Sequence, residues 1–245
     1  MSTAVDTSPT PTVGLLYPGH SAEDDFPALE SRLGGAVRLP LVHTSVGEDA
    51  HEVGALLDLG RPERLAEGAQ TLLDRRPDSV MWACTSGSFV FGWDGARQQV
   101  EELATRVGRP TSSTSIAFVE ALKSLGLQRV SVAASYPEDV ARRFVDFLGA
   151  GGFEVTAMGS HGIYTAAEVG TLTPEQVVDL VRGADRAGAD AVLVPDTAMH
   201  TLGQLDALEE AAGIPVLTAN QVTVWEGLRL LGPVPEFAGM GRLFR

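Results

Sequence analysis

GRPTSSTSIAFVEALKSLG (108–126) returns near the end of the chain as GIPVLTANQVTVWEGLRLLG (213–232), with one inserted residue. Each copy reads as a short strand followed by a helix. Two further matches keep the same order along the chain. VGLLYP (13–18) pairs with VSVAASYP (130–137), both ending a strand in Tyr-Pro, and ACTSG (83–87) pairs with PDTAM (195–199). Pro18, Cys84 and Pro110 of the first half therefore correspond to Pro137, Asp196 and Pro215 of the second. Three matches in one order describe a duplicated α/β unit.

Working outward, β-like runs at 13–17, 36–42, 79–83, 110–113, 129–135, 154–159, 191–195 and 214–219 alternate with helical stretches. Those stretches cover 61–76, 94–107, 115–125, 137–149, 174–187, 201–212 and 221–231. Such alternation is the pattern of parallel sheets with crossover helices. The fold class expected is α/β, with two pseudo-symmetric Rossmann-like halves, each a parallel sheet flanked by helices. The division places a disordered tail at 1–12, a first half at 13–114 and a second at 115–220. The C-terminal helix, within 221–245, is assigned to the first half, since its counterpart at 115–125 bridges toward the second. GAGG at 149–152 closes a helix instead of opening one and is no phosphate loop.

Composition narrows the partners. The net charge of −14 argues against non-specific binding to nucleic acid or anionic membrane, because phosphates need Lys and Arg. No apolar run reaches the ~18 residues a membrane helix needs. A single cysteine cannot form an internal disulfide, which suits a reducing cytoplasm. The partner expected is a small molecule, and the oligomeric state is left open, a homodimer included.

That one cysteine, Cys84, stands at a strand end before Thr85, Ser86, Gly87 and Ser88. In open parallel sheets ligands bind at the carboxyl ends of the strands. If the two units face one another, Cys84 and its counterpart Asp196 line one cleft from opposite sides. A thiol there serves as nucleophile or proton carrier, while hydroxyls and N–H groups of the turn hold an anionic oxygen. Tyr17 and Tyr136, each before a proline, offer phenolic donors, and Thr197 follows Asp196. His200 lies four residues past Asp196 and is a candidate partner for it. Against these stand plainer readings: a buried inert thiol, a turn-forming aspartate and a surface histidine. A metal set drawn from His20, Asp24, Asp25, Asp196 and His200 lacks ligand spacing, so no metal is expected.

These motifs, spread over 13–232, resemble the aspartate/glutamate racemase superfamily, in the branch of maleate cis-trans isomerases and arylmalonate decarboxylases. The resemblance implies no cofactor, no metal and a small carboxylate substrate. By position, Cys84 matches the cysteine that isomerases use as nucleophile and racemases as base; decarboxylases have glycine there. Thr85, Ser86 and Tyr136 match groups that bind the substrate carboxylate. Asp196 stands where the family usually has its second cysteine, and Thr197 where a backbone donor sits. Ala198-Met199-His200 replaces the Asn-Leu-Arg of isomerases. The implied activity is cofactor-independent isomerisation of the maleate type, with Cys84 and Asp196 catalytic. A racemase or decarboxylase in the same cleft is the alternative, as is a carboxylate-binding protein without turnover. A reactive enzyme thiol implies rapid, pH-dependent alkylation that substrate blocks.

Overall fold

In the computed structural model, which describes residues 10–245, the duplicated sequence forms two four-stranded parallel sheets. The first contains β1 (Val13–Pro18), β2 (Leu41–Thr44), β3 (Ser79–Trp82) and β4 (Thr111–Ser113), in the order β2-β1-β3-β4. The second contains β5 (Arg129–Ala134), β6 (Glu154–Ser160), β7 (Ala191–Val194) and β8 (Val216–Thr218), in the order β6-β5-β7-β8. The two orders are the same, so the repeat seen in the letters is a repeat of topology. Central strands β3 (SVMW) and β7 (AVLV) are buried at every position, as parallel strands covered on both faces must be.

Helices α1 (Asp25–Arg32), α2 (Val53–Leu59), α3 (Pro62–Leu73), α4 (Ser86–Phe89), α5 (Gly92–Val107) and α6 (Thr114–Leu125) belong to the first stretch of chain. They are followed by α7 (Glu138–Ala150), α8 (Ala166–Val169), α9 (Pro174–Arg182), α10 (Leu205–Ala212) and α11 (Ala219–Arg229). Matching helices α6 and α11 pack on each other, and the Thr114 and Thr223 hydroxyls join them at 2.6 Å. Helix α11 also lies against the first sheet, where Ser79 Oγ donates to the Gly227 carbonyl at 2.7 Å. Gly227 is required by that approach: a Cβ there would fall 2.2 Å from Val13 Cγ1 and 3.2 Å from Met81 Cγ. Gly227→Ala is therefore expected to cost about 1–3 kcal/mol through overpacking, read as a lower denaturation midpoint. A large core cluster including Leu15, Trp82, Phe118, Phe144 and Val222 runs through both halves.

Several boundaries differ from the sequence reading. The second strand begins at Leu41, not 36, because Pro40 has no N–H to give a ladder. Before it, Arg38 forms an isolated bridge with Thr12, and the Pro40 carbonyl accepts the Leu15 N–H at 2.9 Å. That bridge removes Thr12 from the expected tail; residues 1–9 lie outside the described residues. Helix α10 starts at Leu205 instead of 201, since the N–H groups of Thr201 and Leu202 donate to Asp25 Oδ2 at 2.8 and 3.1 Å. Helix α9 stops at Arg182, five residues early. Helices α1, α2, α4 and α8 were not foreseen.

In each sheet the chain leaves its first strand to one side and returns on the other. This leaves a crevice at the carboxyl ends of β1 and β3, and another at those of β5 and β7. The two crevices open onto one cavity. Among the described residues no helix is long and apolar enough to cross a membrane.

Candidate active site

Cys84 lies two residues beyond the end of β3, where the chain turns into α4. The Gly87 N–H donates to its Sγ at 3.3 Å, and the Ser86 hydroxyl stands 3.9 Å away. Gly87 keeps this turn close, since a Cβ there would press at 3.1 Å on both Sγ and the Trp82 ring. Burial pushes the thiol up to about 12, and the nearby Asp196 charge adds to the rise. The Gly87 and Ser86 donors pull the other way but do not win. The resting group is a thiol, not a thiolate, so fast alkylation of the empty protein at neutral pH is not what this geometry gives.

Asp196 lies two residues beyond the end of β7, the position in its half that Cys84 holds in the other. It is 3% exposed, and both of its oxygens accept hydrogen bonds. The Ala198 N–H donates to Oδ1 at 2.9 Å, and the Ser135 hydroxyl, from the end of β5, donates to Oδ2. The turn-forming role expected of a Pro-Asp-Thr aspartate is thus real. It coexists with a place on the cavity wall.

The cavity measures about 190 Å³ and takes its walls from both halves. Cys84, Ser86 and Tyr17 line it from the first half, Asp196, Thr197 and Ala198 from the second. Tyr136 and Thr85 stand behind this surface, at 1% and 0% exposure. The Tyr136 hydroxyl donates to the Pro195 carbonyl beside the Thr85 and Ser86 hydroxyls. Thr85 Oγ1 has no hydrogen-bond partner of good geometry, a buried polar atom left open at the base of the site. Tyr17 is committed elsewhere: its hydroxyl donates to the Thr197 carbonyl at 2.9 Å and accepts from the Ala22 N–H at 3.1 Å. It ties the two halves together and has no proton left for a substrate. His200 is a correction. Its Nε2 pairs with Asp24 Oδ1 at 2.7 Å at the surface, because Asp196 faces Ser135 and its own loop instead.

Burial raises Cys84, Tyr17 and Tyr136 together. Between the unfolded values of about 9–10 and the higher folded ones, the native state holds protons that the unfolded chain has lost. Stability is therefore expected to fall as the pH rises above about 9, which unfolding titrations at fixed temperature would read.

Some wall residues carried no signal in the sequence. His51 is 4% exposed, with Nδ1 2.8 Å from the Ile163 carbonyl and its ring edge-on to Tyr136 at 4.9 Å. Asp49 joins it on the wall, and Ser135 stands behind Asp196. The Asp49 carboxylate accepts the Ala166 and Ala167 N–H groups at 2.9 and 3.1 Å, so the loop after β2 grips the start of α8 across the cavity. The imagined metal set is dispersed, with Asp25 bound by Thr201, Leu202 and Asn220. Among the described residues, one group has metal-ligand spacing: His20, Glu23 and His43, at the rim, with ligand atoms within 4.8 Å of one another.

The family model for arylmalonate decarboxylase matches residues 61–244. The chain belongs to the arylmalonate decarboxylase family. Within it, the chain is 29% identical over 249 residues to the maleate isomerase of Nocardia farcinica, covering 95% of each protein. It is also 29% identical over 244 residues to the arylmalonate decarboxylase of Bordetella bronchiseptica, covering 96% of this chain and 97% of the other. Among solved structures, a cysteine-to-serine variant of the Nocardia maleate cis-trans isomerase superposes with a TM-score of 0.86 at 26% identity. That match covers 96% of this chain and 98% of the other, and the variant holds a covalently bound succinylcysteine intermediate.

Proposed function

We propose that the protein is a cofactor-independent isomerase of a small unsaturated carboxylate, with Cys84 as nucleophile and Asp196 as the group that takes and returns its proton. The observation that carries this reading is the position of the chain's one thiol. It sits at a strand end in the cavity between the halves, faces a carboxylate, and has an N–H donor on its sulfur. A succinylcysteine, as held by the Nocardia relative, is the adduct that a thiol forms on adding across the double bond of a cis-butenedioate.

The geometry suits each step. The thiol is protonated at rest, so adding to carbon needs an acceptor for its proton, and Asp196 is a carboxylate within the same walls whose charge acts on the thiol. The Gly87 N–H steadies the sulfur as it gains charge. As Sγ bonds to the β-carbon, the double-bond pair moves toward the substrate carboxylate, and an enediolate develops. Ser86, on the cavity wall with the unpartnered Thr85 hydroxyl behind it, receives it, while Tyr136 gives its proton to the Pro195 carbonyl and holds the turn in place. Rotation about the new single bond and expulsion of the thiolate complete the isomerisation, and the proton returns to sulfur. Ser86→Ala is expected to weaken substrate binding by about 1–3 kcal/mol, seen as a raised KM with the fold unchanged.

A decarboxylase reading is favoured by one specific feature. A thiol held protonated at neutral pH is also a proton donor to an enediolate left by departing CO₂. Proton NMR separates the two. Conversion of a cis-2-enoic acid to its trans isomer, with a Cys84 adduct heavier by the whole acid, supports isomerisation. Release of CO₂ from a substituted malonate without such an adduct supports decarboxylation, and neither reaction would sink the enzyme reading.

A further inference from the structure

Resting on the isomerase reading, we propose that the substrate carries one carboxylate only, with an uncharged and largely apolar group as its second substituent. Among the described residues no lysine or arginine lines the cavity, whereas three carboxyl groups do: Glu48, Asp49 and Asp196. A second substrate carboxylate would need donors, and several of those around the walls are spent. The Ala166 and Ala167 N–H groups are taken by Asp49, and the Ala198 N–H and Ser135 hydroxyl by Asp196. The Tyr17 hydroxyl is taken by the Thr197 carbonyl, and His51 Nδ1 by that of Ile163. Beside Cys84, Ser86 lines the cavity with the unpartnered Thr85 hydroxyl behind it. That end holds one carboxylate.

An apolar stretch of wall is made by Val46, Ala50, Leu56 and Leu59, from the loop after β2 and from α2. Ala50 and Leu56 are 4% and 3% exposed. A carboxylate pressed there would lose its water with nothing in exchange, and would face the Asp196 charge besides. An alkyl or ester group gains by the same burial. The chemistry stays balanced: Sγ bonds to the carbon bearing the apolar arm, and the π pair moves onto the docked carboxylate as an enediolate. The pair returns as the S–C bond breaks after rotation, and nothing is oxidised or reduced.

The wild-type protein tests this with two probes, cis-butenedioate and its monomethyl ester. The monoester is expected to show kcat/KM about tenfold or more above the dianion. A dianion turned over as well or better would overturn the single-carboxylate inference and leave the isomerase reading standing. Binding is read separately, by how far monomethyl succinate and succinate slow iodoacetamide alkylation of Cys84. Stronger protection by the monoester, with no turnover of either probe, keeps the inference and removes the isomerase reading. Equal or stronger protection by succinate overturns the inference, and protection by neither overturns both.

Discussion

Replacing Cys84 by serine is expected to lower turnover by about 10³-fold or more while the protein folds as before. A serine hydroxyl fits the space and still meets the Gly87 N–H, so packing survives. What disappears is a polarizable nucleophile that can both add to carbon and leave again. The wild-type thiol has a second signature. With the group pushed up to about 12, only about one molecule in 10⁵ is a thiolate at pH 7, because each unit below the midpoint costs a factor of ten. Iodoacetamide should therefore modify the empty protein slowly at pH 7 and about tenfold faster per unit up to pH 9. Near wild-type turnover in Cys84→Ser would remove the nucleophile assignment. A pH-independent alkylation rate would remove the buried-thiol account.

Such a thiol shows where sequence reasoning reached and where it stopped. The repeat gave the architecture because strand order follows chain order in a crossover fold: matching segments in matching order leave few ways to wind two parallel sheets. It also pairs Cys84 with Asp196, since both stand two residues past an equivalent strand. Acidity was another matter. Cys84 sits among hydroxyls and a turn, which reads as an activating site, and only three-dimensional burial reverses that. His51 and Asp49 were invisible for a different reason. Their partners, Ile163 and Ala166–Ala167, lie more than 100 residues away in the other half, and no local spacing encodes that meeting. Helix α1 was masked by Pro27, which normally breaks a helix but is tolerated in a first turn, where N–H groups have no partner to lose. His200 erred in the opposite direction. Spacing of four from Asp196 suggested a helical pair, but Thr201 and Leu202 give their N–H groups to Asp25, so no helix forms there and the imidazole turns to Asp24.

Asp196→Asn is expected to separate the two roles that this residue fills. An amide keeps the shape, and its oxygen can still accept the Ala198 N–H, so the turn and the fold should persist. What it cannot do is take the Cys84 proton, and turnover should fall by about 10²–10⁴-fold, the usual worth of a positioned acid or base. The same change acts on the thiol in the other direction. The Asp196 charge contributes to the elevation of Cys84, so removing it lowers the thiol's pKa and enlarges the thiolate fraction at any pH below that value. Alkylation of Cys84 should therefore become faster in the variant that turns over more slowly. A merely structural aspartate predicts neither shift, and a loosened fold predicts faster alkylation together with a lower denaturation midpoint. Faster alkylation, slower turnover and an unchanged midpoint, measured on one preparation, are the combination that only a charge facing the thiol across the cavity produces. A silent Asp196→Asn beside an inactive Cys84→Ser would leave a mechanism resting on the first half alone, with the proton of Cys84 passing to substrate or solvent.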